Sequence, residues 1–230
     1  MKDVKIIAFD ADDTLWVNEN YFRETEDQFC DLLEGYMAKH SLMQELYKTE
    51  IENIKIYGYG VKGFTLSMIE TLYRITGGQG SLDLVNQVLN LGKSMLQQPI
   101  ELLDGVEEVL SALYGKYRLV LATKGDLLDQ ERKLIKSGLE KYFHHIEIMS
   151  NKEENDYAKL IKHLDCEPRE FLMVGNSVKS DILPVLQLGA HAIHVPYHTT
   201  WVHEQVAKDS HNHKYPEVGK INDILEFLPD

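Results

Sequence analysis

The run Val4-Lys5-Ile6-Ile7-Ala8-Phe9 reads as a buried strand, and it stops at Asp10-Ala11-Asp12-Asp13-Thr14-Leu15. Three carboxylates at the carboxyl end of an apolar strand repel one another and lose hydration, a cost that a cation or an anion-handling task would offset. Asp10, Asp12 and Asp13 therefore mark this strand end as a candidate active site. Three further polar signals end or follow later apolar runs: Leu121-Ala122-Thr123-Lys124-Gly125, Lys152 after Met149-Ser150-Asn151, and Val174-Gly175-Asn176-Ser177-Val178-Lys179-Ser180-Asp181.

These groups need a frame that gathers several strand ends. Apolar runs at Val4 to Phe9, Arg118 to Ala122, Ile146 to Met149, Phe171 to Val174 and Ala192 to Val195 predict five buried strands. Between the later runs lie helical stripes: Val106, Val109, Leu110 and Leu113; Leu127, Leu128, Leu134 and Ile135; Tyr157, Leu160, Ile161 and Leu164; Ile182, Val185 and Leu186. Alternating strand and helix predict a doubly wound, Rossmann-like α/β core with a parallel sheet and right-handed crossovers.

The stretch from 16 to 98 breaks that rhythm. It has no strand pattern, but carries amphipathic stripes at Phe29, Leu32, Leu33 and Tyr36, at Phe64, Met68, Leu72 and Ile75, and at Val85, Val88, Leu89 and Leu96. Glycine-rich breaks at Gly58-Tyr59-Gly60 and Gly77-Gly78-Gln79-Gly80 separate them. This predicts an all-helical cap over residues 16–98, inserted into a core made of residues 1–15 and 99–230. It leaves just after the aspartate cluster, so it is expected over the carboxyl edge of the sheet, where open α/β sheets bind ligands.

With 24 Lys+Arg against 37 Asp+Glu, the net charge is −13 and no basic run occurs, which argues against a nucleic-acid or anionic-membrane partner. An anionic substrate would need local help from a metal ion, a buried lysine or backbone N–H groups. The absence of a membrane-length apolar stretch or a leader-like segment leads to an expected cytoplasmic location. Cys30 and Cys166 have no metal-like spacing and are expected as separate thiols. Nothing in the sequence bears on oligomeric state.

The four polar signals, in this order and each at the end of its strand, resemble the haloacid dehalogenase superfamily, most closely its phosphatases with a helical cap after the first motif. The resemblance implies Mg²⁺-dependent hydrolysis of a small phosphorylated metabolite. Asp10 would be the nucleophile, forming an acyl-phosphate, and Asp12 would protonate the leaving oxygen and then activate water. Thr123 would offer its hydroxyl, Lys124 its backbone N–H and Lys152 its ammonium to the phosphoryl oxygens, while Thr14 would order the loop after Asp12. Mg²⁺ would take the Asp10 carboxylate, the Asp12 backbone carbonyl and the Asn176 side chain, with Asp181 holding a metal-bound water or orienting its neighbours.

Two other readings stand beside this one. A haloacid dehalogenase uses the same nucleophile on carbon, needs no metal and carries a non-acidic residue where this chain has Asp12; a non-catalytic phosphate-binding or scaffold protein would keep only the fold. Asp12 favours phosphate chemistry, whereas Asn176, standing where the family commonly has Asp, tilts weakly the other way.

Several residues invite plainer readings. Asp13 is expected as an exposed turn residue, and His191, His194, His198, His203, His211 and His213 as surface and edge positions near a short helix from Val202 to Lys208. His198 and Trp201 follow the last strand and could border the cleft. Tyr57-Gly58-Tyr59-Gly60 with Lys62-Gly63 lacks the strand before and the Lys-Ser/Thr after that a phosphate loop requires. It reads as a loop between cap helices, with Tyr59, Lys62 and Arg23 as candidates for the non-reacting half of the substrate.

The amide at Asn176 removes one negative charge from the implied metal set. Asn176→Asp is expected to tighten Mg²⁺ binding by about tenfold, measured by calorimetric titration; unchanged affinity would place the metal elsewhere.

Overall fold

The structure is a computed structural model that describes residues 1–205 and 213–229. His211 and the last residues of the helix predicted from Val202 to Lys208 lie outside the described residues. The chain divides into two compact units, one of Met1–Glu19, Ile100–Lys124 and Gln130–Asp230, the other of Asn20–Pro99 and Gly125–Asp129.

The first unit is the predicted parallel α/β core. Strands β1 (Ile6–Phe9), β2 (Arg118–Lys124), β3 (His145–Met149), β4 (Phe171–Gly175) and β5 (His191–His194) form one sheet in the order β3-β2-β1-β4-β5, every pair parallel. Alternate side chains leave opposite faces of a strand, and here each face has its own apolar set. Ile7, Phe9, Leu119, Leu121, Leu172 and Val174 share a core with Val106, Val109, Leu110 and Leu113 of helix α5 (Val106–Leu113). Ile6, Ala8, Val120, Ala122, Phe171 and Met173 share the other with Tyr157, Leu160 and Ile161 of helix α7 (Glu154–His163). Both faces being covered explains why the strands read as continuous apolar runs.

Register then sets the site. Phe9 lies opposite Leu121 on one side and Val174 on the other. By this register Asp10 falls level with Ala122, two residues before the end of β2, and with Gly175, the last residue of β4, its N–H donating to the Val174 carbonyl at 2.9 Å.

Helix α6 (Leu127–Ser137) departs from its predicted stripe. Leu134 is buried, but Leu127, Leu128 and Ile135 are exposed, and the buried positions beside Leu134 are the polar Asp129 and Gln130. The face expected to be apolar instead presents polar groups at the end of β2.

The second unit is all helical, built from α1 (Glu19–Leu32), α2 (Lys39–Tyr57), α3 (Val61–Ile75) and α4 (Leu82–Gln97). Phe29, Leu33, Leu42, Leu46, Phe64, Met68, Leu72 and Val88 form its core. The Ser81 hydroxyl accepts from the Leu84 N–H and caps α4. A β-carbon on Gly92 would meet Thr65 Oγ1 at 2.1 Å, so the close approach of α3 and α4 requires glycine there. Asp126 joins this unit through an ion pair with Lys62.

The two ends of the insertion are paired inside the sheet unit. The Leu103 N–H donates to the Leu15 carbonyl at 3.0 Å, the Val17 N–H to the Glu101 carbonyl at 2.9 Å, and the fully buried Trp16 forms an antiparallel bridge with Leu102.

Asp13 turns the chain between β1 and α1, and the structure corrects its expected exposure. It is buried, adopts φ 61°, and accepts from the N–H groups of Asn18 and Glu19 at the start of α1. Aspartate tolerates the left-handed region better than most residues, and the carboxylate satisfies helix-start donors that would otherwise go unpaired. Burial pushes its carboxyl up to about 7 against the pull of those N–H donors. Asp13→Gly is expected to be more stable than Asp13→Ala by about 1 kcal/mol, because both lose the cap but only alanine is strained at positive φ; urea denaturation giving the reverse order would refute this turn geometry.

Candidate active site

The site grows from one buried lysine. The Lys152 ammonium donates to Asp10 Oδ1 at 2.5 Å and to Asp181 Oδ1 at 2.7 Å, with side-chain exposures of 1%, 9% and 1% for the three residues. Burial alone would favour loss of its proton, but the two carboxylates outweigh that and hold its pKa above the ordinary lysine value. Burial pushes the Asp10 carboxyl up to about 7, with Lys152 pulling down and the charges of Asp181 and Asp12 pushing up. Two buried carboxylates thus share a single positive charge.

Asp181 is fixed from several directions. Besides Lys152 it accepts from the Tyr157 hydroxyl at 3.4 Å and, on Oδ2, from the Ser177 N–H at 3.0 Å. It sits on a π-helical turn (Val178–Ile182), a distortion often found at functional sites, and its side chain lies against the end of β4. A β-carbon at Gly175 would come within 2.3 Å of Asp181 Oδ2 and 2.4 Å of its Cγ, so the last residue of β4 has to be glycine.

The second oxygen of Asp10 faces another group. The Thr14 hydroxyl lies 3.2 Å from Asp10 Oδ2 and 3.3 Å from Asn176 Oδ1, and accepts from the Asn176 N–H at 3.0 Å. One hydroxyl therefore gathers the Asp10 and Asn176 oxygens around a point. The Asn176 backbone carbonyl accepts from His194 Nε2 at 3.0 Å, and the Nδ1 of the same ring lies 2.9 Å from Glu217. His194 is consequently buried and tied to the motif after β4, unlike a surface histidine.

Asp12 is oriented by three donors. Its Oδ1 accepts from Trp16 Nε1 at 2.7 Å and Lys133 Nζ at 2.9 Å, and its Oδ2 from Gln130 Nε2 at 2.8 Å. The Gln130 amide also reaches Thr123 Oγ1 at 3.3 Å and the Lys124 carbonyl at 3.0 Å. Thr123 is buried at the end of β2, and the Lys124 side chain turns to Ser180 and Glu204.

The structure brings Asp10, Lys152, Asp181, Thr14 and Asn176 into one connected network, and Asp12, Gln130 and Thr123 into another. Trp16, Gln130, Lys133, Tyr157, Glu204 and His194 are the participants that sequence reasoning missed. For Gln130 and Lys133 a signal existed: two polar residues three apart on the same helix face as Leu134. Arg23 pairs with Glu26, and Lys62 with Asp126. Trp201 packs on the His203 ring at 5.0 Å and His198 on Tyr197 at 4.2 Å. Among the described residues no group of three or more His, Cys, Asp or Glu is arranged to hold a metal; position 176 carries an amide, and Asp181 is engaged by Lys152 and Ser177.

A family description of haloacid dehalogenase-like hydrolases matches residues 4–189. Among solved structures, a haloacid dehalogenase-like family hydrolase from Xanthomonas campestris is 36% identical, with 96% of this chain and 89% of that chain covered and a TM-score of 0.86. The Bacillus subtilis HAD-hydrolase YfnB bound to magnesium is 16% identical over 98% of this chain and 99% of that one, with a TM-score of 0.66. A 2-haloacid dehalogenase from Pseudomonas syringae pv. Tomato is 15% identical over 97% of each chain, with a TM-score of 0.61. No curated protein matches significantly. The five-stranded parallel sheet covered on both faces places the protein in the α/β class. The chain belongs to the haloacid dehalogenase-like hydrolases.

Gly175→Ala is expected to force Asp181 off the end of β4 and to cost about 1–3 kcal/mol, seen as a lowered thermal midpoint. An unchanged midpoint would mean that Asp181 does not pack as described.

Proposed function

We propose that this hydrolase cleaves the phosphate monoester of a small metabolite through an aspartyl-phosphate on Asp10, with Mg²⁺ as cofactor. The observation that carries this reading is Asp12: a carboxylate two residues beyond the nucleophile candidate, linked through the Gln130 amide to the Thr123 hydroxyl. A dehalogenase would have no use for an acid at that position.

The donor set suits a small hard cation. The oxygens offered are the Asp10 carboxylate and the Asn176 amide oxygen, already gathered by Thr14, and the Asp12 backbone carbonyl would add a third. The uncompensated negative charge of two carboxylates around one ammonium favours such an ion. When bound, Mg²⁺ would neutralise charge on the phosphoryl group and on Asp10. Asp181, held by Lys152 and Ser177, serves as orienter in this reading.

The protein's own groups would then act as follows. Lys152, the Thr123 hydroxyl and the Lys124 N–H hold the phosphoryl oxygens. An Asp10 oxygen attacks phosphorus, the bond to the leaving oxygen breaks, and Asp12, carrying a proton in place of one of its present donors, supplies that oxygen with it. Asp12, now a carboxylate, takes a proton from the water that cleaves the aspartyl-phosphate, which restores Asp10 and releases inorganic phosphate. The cytoplasm is the compartment proposed, in keeping with free thiols at Cys30 and Cys166.

Incubation with an aryl phosphate and a panel of phosphorylated metabolites, with and without Mg²⁺, tests the reading. Phosphate release that requires Mg²⁺ and falls by about 10³-fold or more in Asp10→Asn is expected. Halide release from 2-haloacids without phosphate release would replace it with dehalogenation, and no turnover of either kind would leave a binding or scaffold role.

A further inference from the structure

A further, largely enclosed carboxylate lies next to this network and has no part in the chemistry above. Glu204 belongs to a short 3₁₀ turn (Val202–Glu204) after β5. Its Oε1 accepts from Lys124 Nζ at 2.5 Å, and its Oε2 from the hydroxyls of Ser177 at 2.5 Å and Ser180 at 2.6 Å. The network is proton-consistent: the Ser177 oxygen also accepts from the Ser180 N–H, and the Ser180 oxygen from Lys124 Nζ. Each hydroxyl therefore donates to Glu204 and accepts elsewhere.

The turn is not held by apolar packing alone. Val202 is exposed, whereas the Glu204 side chain is only 11% exposed, and Lys179 Nζ donates to the His203 carbonyl at 2.8 Å as a further polar anchor. Burying a carboxylate is costly unless it is paired and hydrogen-bonded. An apolar side chain would hold a surface turn at lower cost. Burial would raise the Glu204 carboxyl, but Lys124 and the two serines outweigh it and hold it at about 2, so it is a permanent anion.

The partners of that anion are significant. Lys124 follows Thr123 at the end of β2, while Ser177 follows Asn176 and Ser180 precedes Asp181. We infer that Glu204 is a positioning residue whose carboxylate clamps the end of β2 to the loop after β4, setting the spacing between the phosphoryl donors Thr123 and Lys124 and the Asn176–Asp181 side of the site. The inference rests on the phosphatase reading for its effect on rate, but the clamp itself does not.

Glu204→Gln in the full chain keeps the shape and removes the charge. The expected result is a kcat lower by about 10- to 100-fold on an aryl phosphate, with KM within about threefold of the parent. Formate added to Glu204→Ala is expected to restore part of the lost rate by supplying the missing carboxylate. An unchanged or raised kcat in Glu204→Gln overturns the inference, and a raised one would mean that Glu204 occupies an anion site the substrate needs. A slow Glu204→Ala that formate does not rescue overturns it as well, since the turn would then be merely structural. If Glu204→Gln fails to fold, the double variant Ser177→Ala/Ser180→Ala keeps the Lys124 pair but removes both hydroxyl contacts that tie Glu204 to the loop after β4, and is expected to lose kcat in the same way; full activity there overturns the clamp. If the parent hydrolyses no phosphate ester, the phosphatase reading fails by itself. Amide hydrogen exchange at residues 123–125 and 176–180, expected to be faster in Glu204→Gln, then decides the clamp, and unchanged exchange overturns it.

Discussion

The site depends on one ammonium group shared by two buried carboxylates. Lys152 comes from the loop after β3, Asp10 from the end of β1 and Asp181 from the turn after β4, so a single charge ties together three strand ends separated by a large part of the sequence. Removing either carboxylate alone would leave a better-balanced pair, whereas removing the lysine would leave two anions in contact, the costliest of these arrangements. Around this centre the other contacts fall into place. Gly175 gives Asp181 room, Tyr157 and the Ser177 N–H fix its two oxygens, and Thr14 meets the second oxygen of Asp10 beside Asn176.

The negative excess left by that sharing has a direction. Lys152 takes one oxygen of Asp10, and the other faces Thr14 and Asn176. An ammonium on one oxygen and a neutral amide beside the other make Asp10 electrically two-sided. That asymmetry is what a nucleophile acting beside a cation requires: one oxygen held in place and the other open to a hard ion.

Much of the frame was legible in the sequence for a simple reason. A sheet covered on both faces demands apolar residues at every strand position, and a change to polar residues at a strand end has few explanations. The first and fourth motifs stood out because Asp10, Asp12, Asn176 and Asp181 interrupt such runs. Helix α6 was misread because Leu127, Leu128 and Ile135 mimic a buried stripe, while the inward positions carry Gln130 and Leu134 and are set by the need to orient Asp12 and Thr123. Asp13 was misread because its left-handed φ and its capping of Asn18 and Glu19 depend on how the chain leaves β1. Glu204 lies 80 residues from Lys124, and no local spacing betrays a contact made only by the closing of the sheet.

The antiparallel pairing of residues 15–17 with 101–103 bears on how such a protein can change over time. Because the departing and returning chain meet through backbone hydrogen bonds within the sheet unit, the ends of the intervening segment are already joined, whatever its length. Doubling a flexible excursion from such a neck costs only about 0.6 kcal/mol in closure entropy. Helices can therefore be gained, lost or exchanged between Asn20 and Pro99 with little penalty to the strands that carry the chemistry. The bridge at Trp16 thus marks the neck from which such variation can begin, with the strand ends that hold Asp10 against Lys152 on its near side.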